Sequence, residues 1–214
     1  MERSNPDNSC IIYLDFILFP GLAQGKPMPH LSISLLGPFA AELNGQHLRG
    51  FRSSKVRALL AYLAVESHRP WSRVTLAGLL WPDLPEQSAQ SNLRNALSNL
   101  RQVTGDARAM PPFLRITETT LQFNPSADYH LDLREFLDLA SPTDARHSAA
   151  PGGTDIPSLV RALALCRGEF LEGFSVDSAP LEQWILATRE QARQRLLQIL
   201  RRLAVEQEQW GDLE

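Results

Sequence analysis

"QSNLRNALSNLRQ", residues 90–102, states one phrase twice: Ser91-Asn92-Leu93-Arg94, then Ser98-Asn99-Leu100-Arg101. Leu93, Leu97 and Leu100 recur at helical spacing, so the stretch is a helix with one apolar stripe. Turning about 100° per residue places Gln87, Ser91, Arg94, Asn95, Ser98 and Gln102 opposite the leucines, with no carboxylate among them. A solvated helix face ordinarily mixes Glu with Lys, because such pairs support the helix and both residues favour it. Ser and Asn do that poorly. With Arg and Gln they suit base edges and phosphate oxygens in a DNA groove, where a carboxylate would be repelled. The plainer alternative is a polar surface that binds nothing, and the flanking sequence has to separate the two.

Upstream, "LSISLLGPF" and "AAELNGQHL" alternate apolar and polar residues around Gly37-Pro38 and Asn44-Gly45, which predicts a small antiparallel sheet. "SSKVRALLAYLAVE" predicts a helix capped by Ser53 or Ser54, burying Val56, Leu59, Leu60 and Leu63. "SRVTLAGLLWPDLP" predicts a shorter helix that starts at Ser72 and stops near Trp81 at Pro82. The helix of the repeated phrase then starts near Pro85-Glu86 and stops at Gly105. Downstream of Pro111-Pro112, "FLRITETTLQFN" returns to period two as strand, turn and strand. A small sheet, three helices and a hairpin make a winged helix-turn-helix, in which the third helix enters the major groove and the hairpin lies beside it.

Charge is divided in the same way. The net charge is -3, but residues 31–104 carry eight Lys/Arg against four Asp/Glu, and residues 105–214 carry eleven against seventeen. A basic module before an acidic one is expected when only the first touches phosphate. With 43% hydrophobic and 21% charged residues, the chain has the make-up of a soluble globular protein with one large or two small cores. Cys10 and Cys166 lie far apart in sequence and in unlike contexts, so neither a disulfide scaffold nor a thiolate metal site is expected and a reducing cytoplasm fits; the five histidines have no ligand spacing, so no metal site is expected from them. "CIIYLDFILFPGLAQG" is interrupted by Asp15 and too short to span a bilayer, so no membrane partner is expected and residues 1–30 read as a disordered or extended leader.

From Asp132 the texture changes. "LDLREFLDLA" and "PSLVRALALCRG" predict two helices, the second stopped by Gly168, separated by the small-residue loop "SPTDARHSAAPGGTD". A helix of about 28 residues follows from Pro180 with Trp184, Ile185, Leu196, Leu200 and Leu203 as apolar positions. A helix followed by Gly211-Asp212 is how tetratricopeptide-like arrays link their helices.

In order, "LSISLLGPFAAELNGQHLRGFRSSKVRALLAYLAV", "LAGLLWPDLPEQSAQSNLRNALSNLRQ" and "FLRITETTLQFN" resemble the DNA-binding domain of the SARP-type bacterial transcriptional activators. "LALCRGEFLEGF" and "LEQWILATREQARQRLLQILRRLA" resemble the bacterial transcriptional activation domain (BTAD) that follows it in that family. The resemblance implies a mainly α fold with small antiparallel sheets: a winged helix-turn-helix of the response-regulator type over residues 31–125, then an all-α tetratricopeptide-like domain over 130–214. It also implies binding to promoter-proximal direct repeats and activation through contact with RNA polymerase. The family's helical domain continues further, so this one is expected to be incomplete at its C-terminus.

The expected function is therefore a sequence-specific DNA-binding activator with double-stranded DNA as partner, and a homodimer on the DNA as a further expectation. Ser91, Arg94, Asn95, Ser98 and Gln102 are the base-contact candidates; Arg94 suits guanine and Asn95 adenine. Arg52, Ser53, Lys55 and Arg73, near helix starts, and Arg101 are the phosphate candidates, against the alternative of an ordinary solvated helix start. Arg115, Thr117, Thr119 and Thr120 would form the wing, although strand propensity alone explains the threonines. Trp71 and Trp81 belong to the core. A protein-interaction adaptor that binds no DNA is the competing function. No enzyme or cofactor is expected: no nucleophile pairs with a base at a strained turn, and Gly152-Gly153 lacks the Lys-Ser/Thr that phosphate binding needs.

Overall fold

A computed structural model of the chain describes residues 29–141 and 156–211. Residues 1–28 of the expected leader, 142–155 of the expected loop, and residues 212–214, with Asp212 of the expected Gly-Asp turn, lie outside the described residues.

Leu31 and Ile33 alternate with Ser32 and Ser34, and this period-two run forms strand β1 (Leu31–Ser34) with both aliphatic side chains fully buried. Strand β2 (Ala40–Leu43) pairs antiparallel with it, and Asn44 and Gly45 turn the chain into β3 (Gln46–His47). Both turn residues have positive φ, 52° and 76°, the backbone hand that matches the twist of the flanking strands. Helix α1 (Ser54–Val65) buries Val56 and the whole run from Ala58 to Ala64; Ser53 stands at its N-cap without a side-chain hydrogen bond. Helix α2 follows as Arg73–Leu80, and Ser72 caps it by accepting the Thr75 N–H. Helix α3 (Glu86–Thr104) ends at Gly105, whose φ of 66° lets its N–H reach the Arg101 and Gln102 carbonyls.

Two short strands were not expected. Trp71–Ser72 forms β4, which pairs with the second strand of the hairpin β5 (Leu114–Ile116) and β6 (Thr120–Phe123), so the wing is a three-stranded sheet in the order β4-β6-β5. Strand β7 (Tyr129–Leu131) runs parallel to β1 and completes the first sheet in the order β3-β2-β1-β7. The first sheet therefore uses residues beyond 125.

Three helices follow: α4 (Asp132–Ala140), α5 (Ile156–Leu165) and α6 (Ala179–Gly211). Helix α5 stops before Gly168 because the next backbone groups are taken elsewhere. The Arg167 and Leu171 N–H groups donate to the Leu36 and Leu35 carbonyls, and Phe170 bridges Leu36 and Gly37. At the same junction the buried Asp132 carboxylate accepts the N–H groups of Leu35, Leu36 and Leu133, with Arg167 at 3.4 Å. A second joint is aromatic. Tyr62 of α1 packs edge-on between Trp71 and Trp184, with ring centroids 5.1 and 5.0 Å away, and both indole N–H groups donate to Glu66. The winged portion and the helices behind it thus share one hydrophobic core.

Candidate nucleic-acid interface

The two faces of α3 separate as their residue types dictate. Leu93, Leu97 and Leu100 are buried; Gln87, Arg94, Asn95, Ser98 and Gln102 are exposed, and Ser91 is half-buried. Among the described residues, no hydrogen bond or ion pair occupies the side chains of Arg94, Asn95, Ser98 or Gln102. Unengaged donors and acceptors need break no internal hydrogen bond to meet a ligand, although Arg94 and Gln102 would lose rotamer freedom in doing so. The repeated phrase also holds a residue that sequence reasoning left out. Asn99 is 4% exposed; its Oδ1 accepts the Arg52 N–H at 2.9 Å and its Nδ2 donates to the Gly50 carbonyl at 3.1 Å. A residue facing inward among leucines signals itself only by being polar where Leu would fit.

The phosphate candidates differ in their surroundings. Arg52 and Ser53 are exposed at the start of α1. Trp81 is half-buried against the core, and half-buried Lys55 holds its Nζ 5.5 Å from the centroid of that ring, which restrains the ammonium. Arg73, the first residue of α2, is half-buried, and its Nε is a buried donor without a partner among the described residues. Arg101 is less available. Its Nε donates to Asp106 at 3.1 Å, and that buried carboxylate also accepts the Leu114 N–H at 2.9 Å, so Arg101 ties the end of α3 to strand β5.

The wing tip is organised by its threonines. Thr117 Oγ1 accepts the Thr119 and Thr120 N–H groups and lies 2.7 Å from Thr120 Oγ1, a side-chain turn that closes the hairpin. The Arg73 N–H donates to the Thr119 carbonyl at 2.8 Å, fixing the wing to the first residue of α2. Arg115 is exposed and donates to Ser126 at 3.1 Å. Arg69, exposed beside the wing sheet, stacks 3.8 Å from the Trp71 ring centroid; the sequence offered no signal for it beyond its charge.

Among the described residues no group of three or more His, Cys, Asp and Glu could hold a metal ion, and no helix is long and apolar enough to cross a membrane. Cys166 is half-buried, and burial pushes its thiol above the ordinary range, so it holds its proton.

No family model matches the chain. It is 30% identical over 152 residues to the transcriptional regulatory protein EmbR of Mycobacterium tuberculosis and to its counterpart in Mycobacterium bovis. That match takes in 66% of this chain and 36% of EmbR, so the chain spans about a third of the length of these curated relatives. The solved structure of M. tuberculosis EmbR in complex with a low affinity phosphopeptide superposes with a TM-score of 0.62 at 27% identity, covering 78% of this chain and 44% of that one.

Proposed function

We infer that this chain, a SARP-type regulator by its homology to EmbR, binds double-stranded DNA in a sequence-specific way and regulates transcription from it. The observation that carries the reading is the outer face of α3. Arg94, Asn95, Ser98 and Gln102 stand exposed and unengaged, with no carboxylate between them, on the third helix of a winged helix-turn-helix. In the major groove Arg94 would pair with guanine O6 and N7, and Asn95 with adenine N6 and N7. Ser91 and Gln102 would extend the footprint to either side. Backbone N–H groups at the starts of α1 and α2, with Arg52, Ser53, Lys55 and Arg73, would take phosphates, because a helix N-terminus favours anions. The wing, with Arg115, Thr117, Thr119 and Thr120, would lie on the neighbouring backbone or minor groove. Arg101 contributes less charge there, since Asp106 already balances it.

The finer reading is an activator that occupies promoter-proximal direct repeats as a homodimer and contacts RNA polymerase, acting in the cytoplasm where such templates lie. Titration of the purified chain against a selected duplex and a scrambled one, at two salt concentrations, tests the DNA step. A DNA binder that contacts several phosphates loses affinity steeply as salt rises and keeps its preference for the selected duplex. Salt-insensitive binding, or none, leaves the adaptor as the better account.

A further inference from the structure

Within one turn of α3, Asn95 and Ser98 face outward while Asn99 faces the loop of residues 49–53. That loop leads from β3 into α1 and carries Arg52 and Ser53. Its backbone is bent at Gly50, whose φ of +97° is a conformation that side-chain-bearing residues rarely adopt. The Asn99 amide holds the bend from both sides, accepting from the Arg52 N–H and donating to the Gly50 carbonyl, an arrangement that only one orientation of the amide satisfies. A leucine at this place would bury more apolar area and favour the helix more. Packing alone therefore does not explain an asparagine here. Two fixed hydrogen bonds to a loop do.

We infer that Asn99 is a positioning residue for DNA binding: it sets the phosphate contacts of Arg52 and Ser53 at a fixed place relative to the bases faced by Arg94 and Asn95. The inference rests on the DNA reading above. Phosphate contacts establish register and carry no sequence information themselves. A loosened 49–53 loop should thus weaken binding to every sequence alike and flatten its salt dependence, while the base preference stays.

The test compares the full chain with Asn99→Ala, Arg52→Ala, the double variant and Gly50→Ala, each titrated on the selected and scrambled duplexes over a salt series. Gly50→Ala reaches the same loop without changing a residue of α3: a Cβ there makes only an ordinary contact with the Val103 side chain of that helix, at 3.8 Å, so its effect comes through the strained backbone. It carries the test if Asn99→Ala does not fold. Arg52→Ala should reduce the slope of log K against log salt by about 0.9, the loss of one phosphate contact. Asn99→Ala and Gly50→Ala should each match that loss, the double variant should lose no more than Arg52→Ala alone, and the ratio between the two duplexes should hold in all of them. The inference is overturned if Asn99→Ala and Gly50→Ala keep the wild-type slope, whatever happens to melting temperature, or if the slope losses of Asn99→Ala and Arg52→Ala add. Both results leave the DNA reading intact. A wild-type chain without salt-dependent, site-preferring binding fails that reading and takes this inference with it.

Discussion

Arg94 and Asp132 mark the two extremes of what one side chain does in this molecule. Arg94 is exposed and supports nothing within the described residues, so Arg94→Ala should change folding stability by no more than about 0.5 kcal/mol. On the preferred DNA site the same substitution should cost about 1–3 kcal/mol, measurable by titration, because the bidentate base contact proposed for it would be lost. Lys55→Ala should act on all sequences equally and also lower stability slightly, since its ammonium lies over Trp81. Asp132 is the reverse case. The residue is 3% exposed, and its carboxylate holds the N–H groups of Leu35, Leu36 and Leu133. Asp132→Asn turns an amide nitrogen toward donors that need an acceptor and removes the charge that draws Arg167. Urea unfolding should show a loss of about 3 kcal/mol or more, with DNA contacts unaltered in the fraction that stays folded.

At the scale of elements, α4 is joined to β7 and α5 through one carboxylate. Glu135 accepts from His130 Nε2 at 2.7 Å and from Arg161 at 2.8 Å, and chiefly the hydrogen bond from His130 holds its carboxyl below the usual range. A depressed carboxyl contributes stability that is fully present above its unfolded pKa and is lost as pH falls through the folded one. Glu135→Gln should therefore be less stable than wild type at neutral pH, by no more than about 1 kcal/mol for so exposed a pair. Melts repeated down the acid range should show that gap closing. The first three helices were legible in the sequence for a related reason: α1 and α3 announce a period, and Pro82 and Gly105 end α2 and α3 where expected. The wing hairpin was legible from its alternation. Strands β4 and β7 were not, because two or three residues are too few to display a period, and each exists only through its partner, β6 or β1. The outward face of α3 could be read from angles alone; the inward role of Asn99 could not, because it depends on a loop 47 residues away in sequence.

For the molecule as a whole, the joint between winged portion and helices decides how separable they are. Strand β7, Asp132 and Trp184 all follow residue 125, yet they cover β1, hold Leu35 and Leu36, and pack on Tyr62. Residues 29–125 alone should melt well below the full chain, by a larger margin than Asp132→Asn, because an unpaired strand edge and an aromatic face would be exposed together. An equal melting temperature for the shortened chain would show the two portions to be independent. The same joint holds α2 and the wing against the start of α6, through the hydroxyl of Ser178, the residue before that helix, on the Leu79 carbonyl and through Tyr62 between Trp71 and Trp184, so the proposed DNA-binding surface has a rigid base. What that surface does is tested most directly by random-site selection with the purified full chain, run in parallel with Arg94→Ala. The account predicts one enriched consensus for the wild type and, for Arg94→Ala, the same consensus degenerate at a single base position. An identical consensus from both proteins, or enrichment from neither, would contradict it.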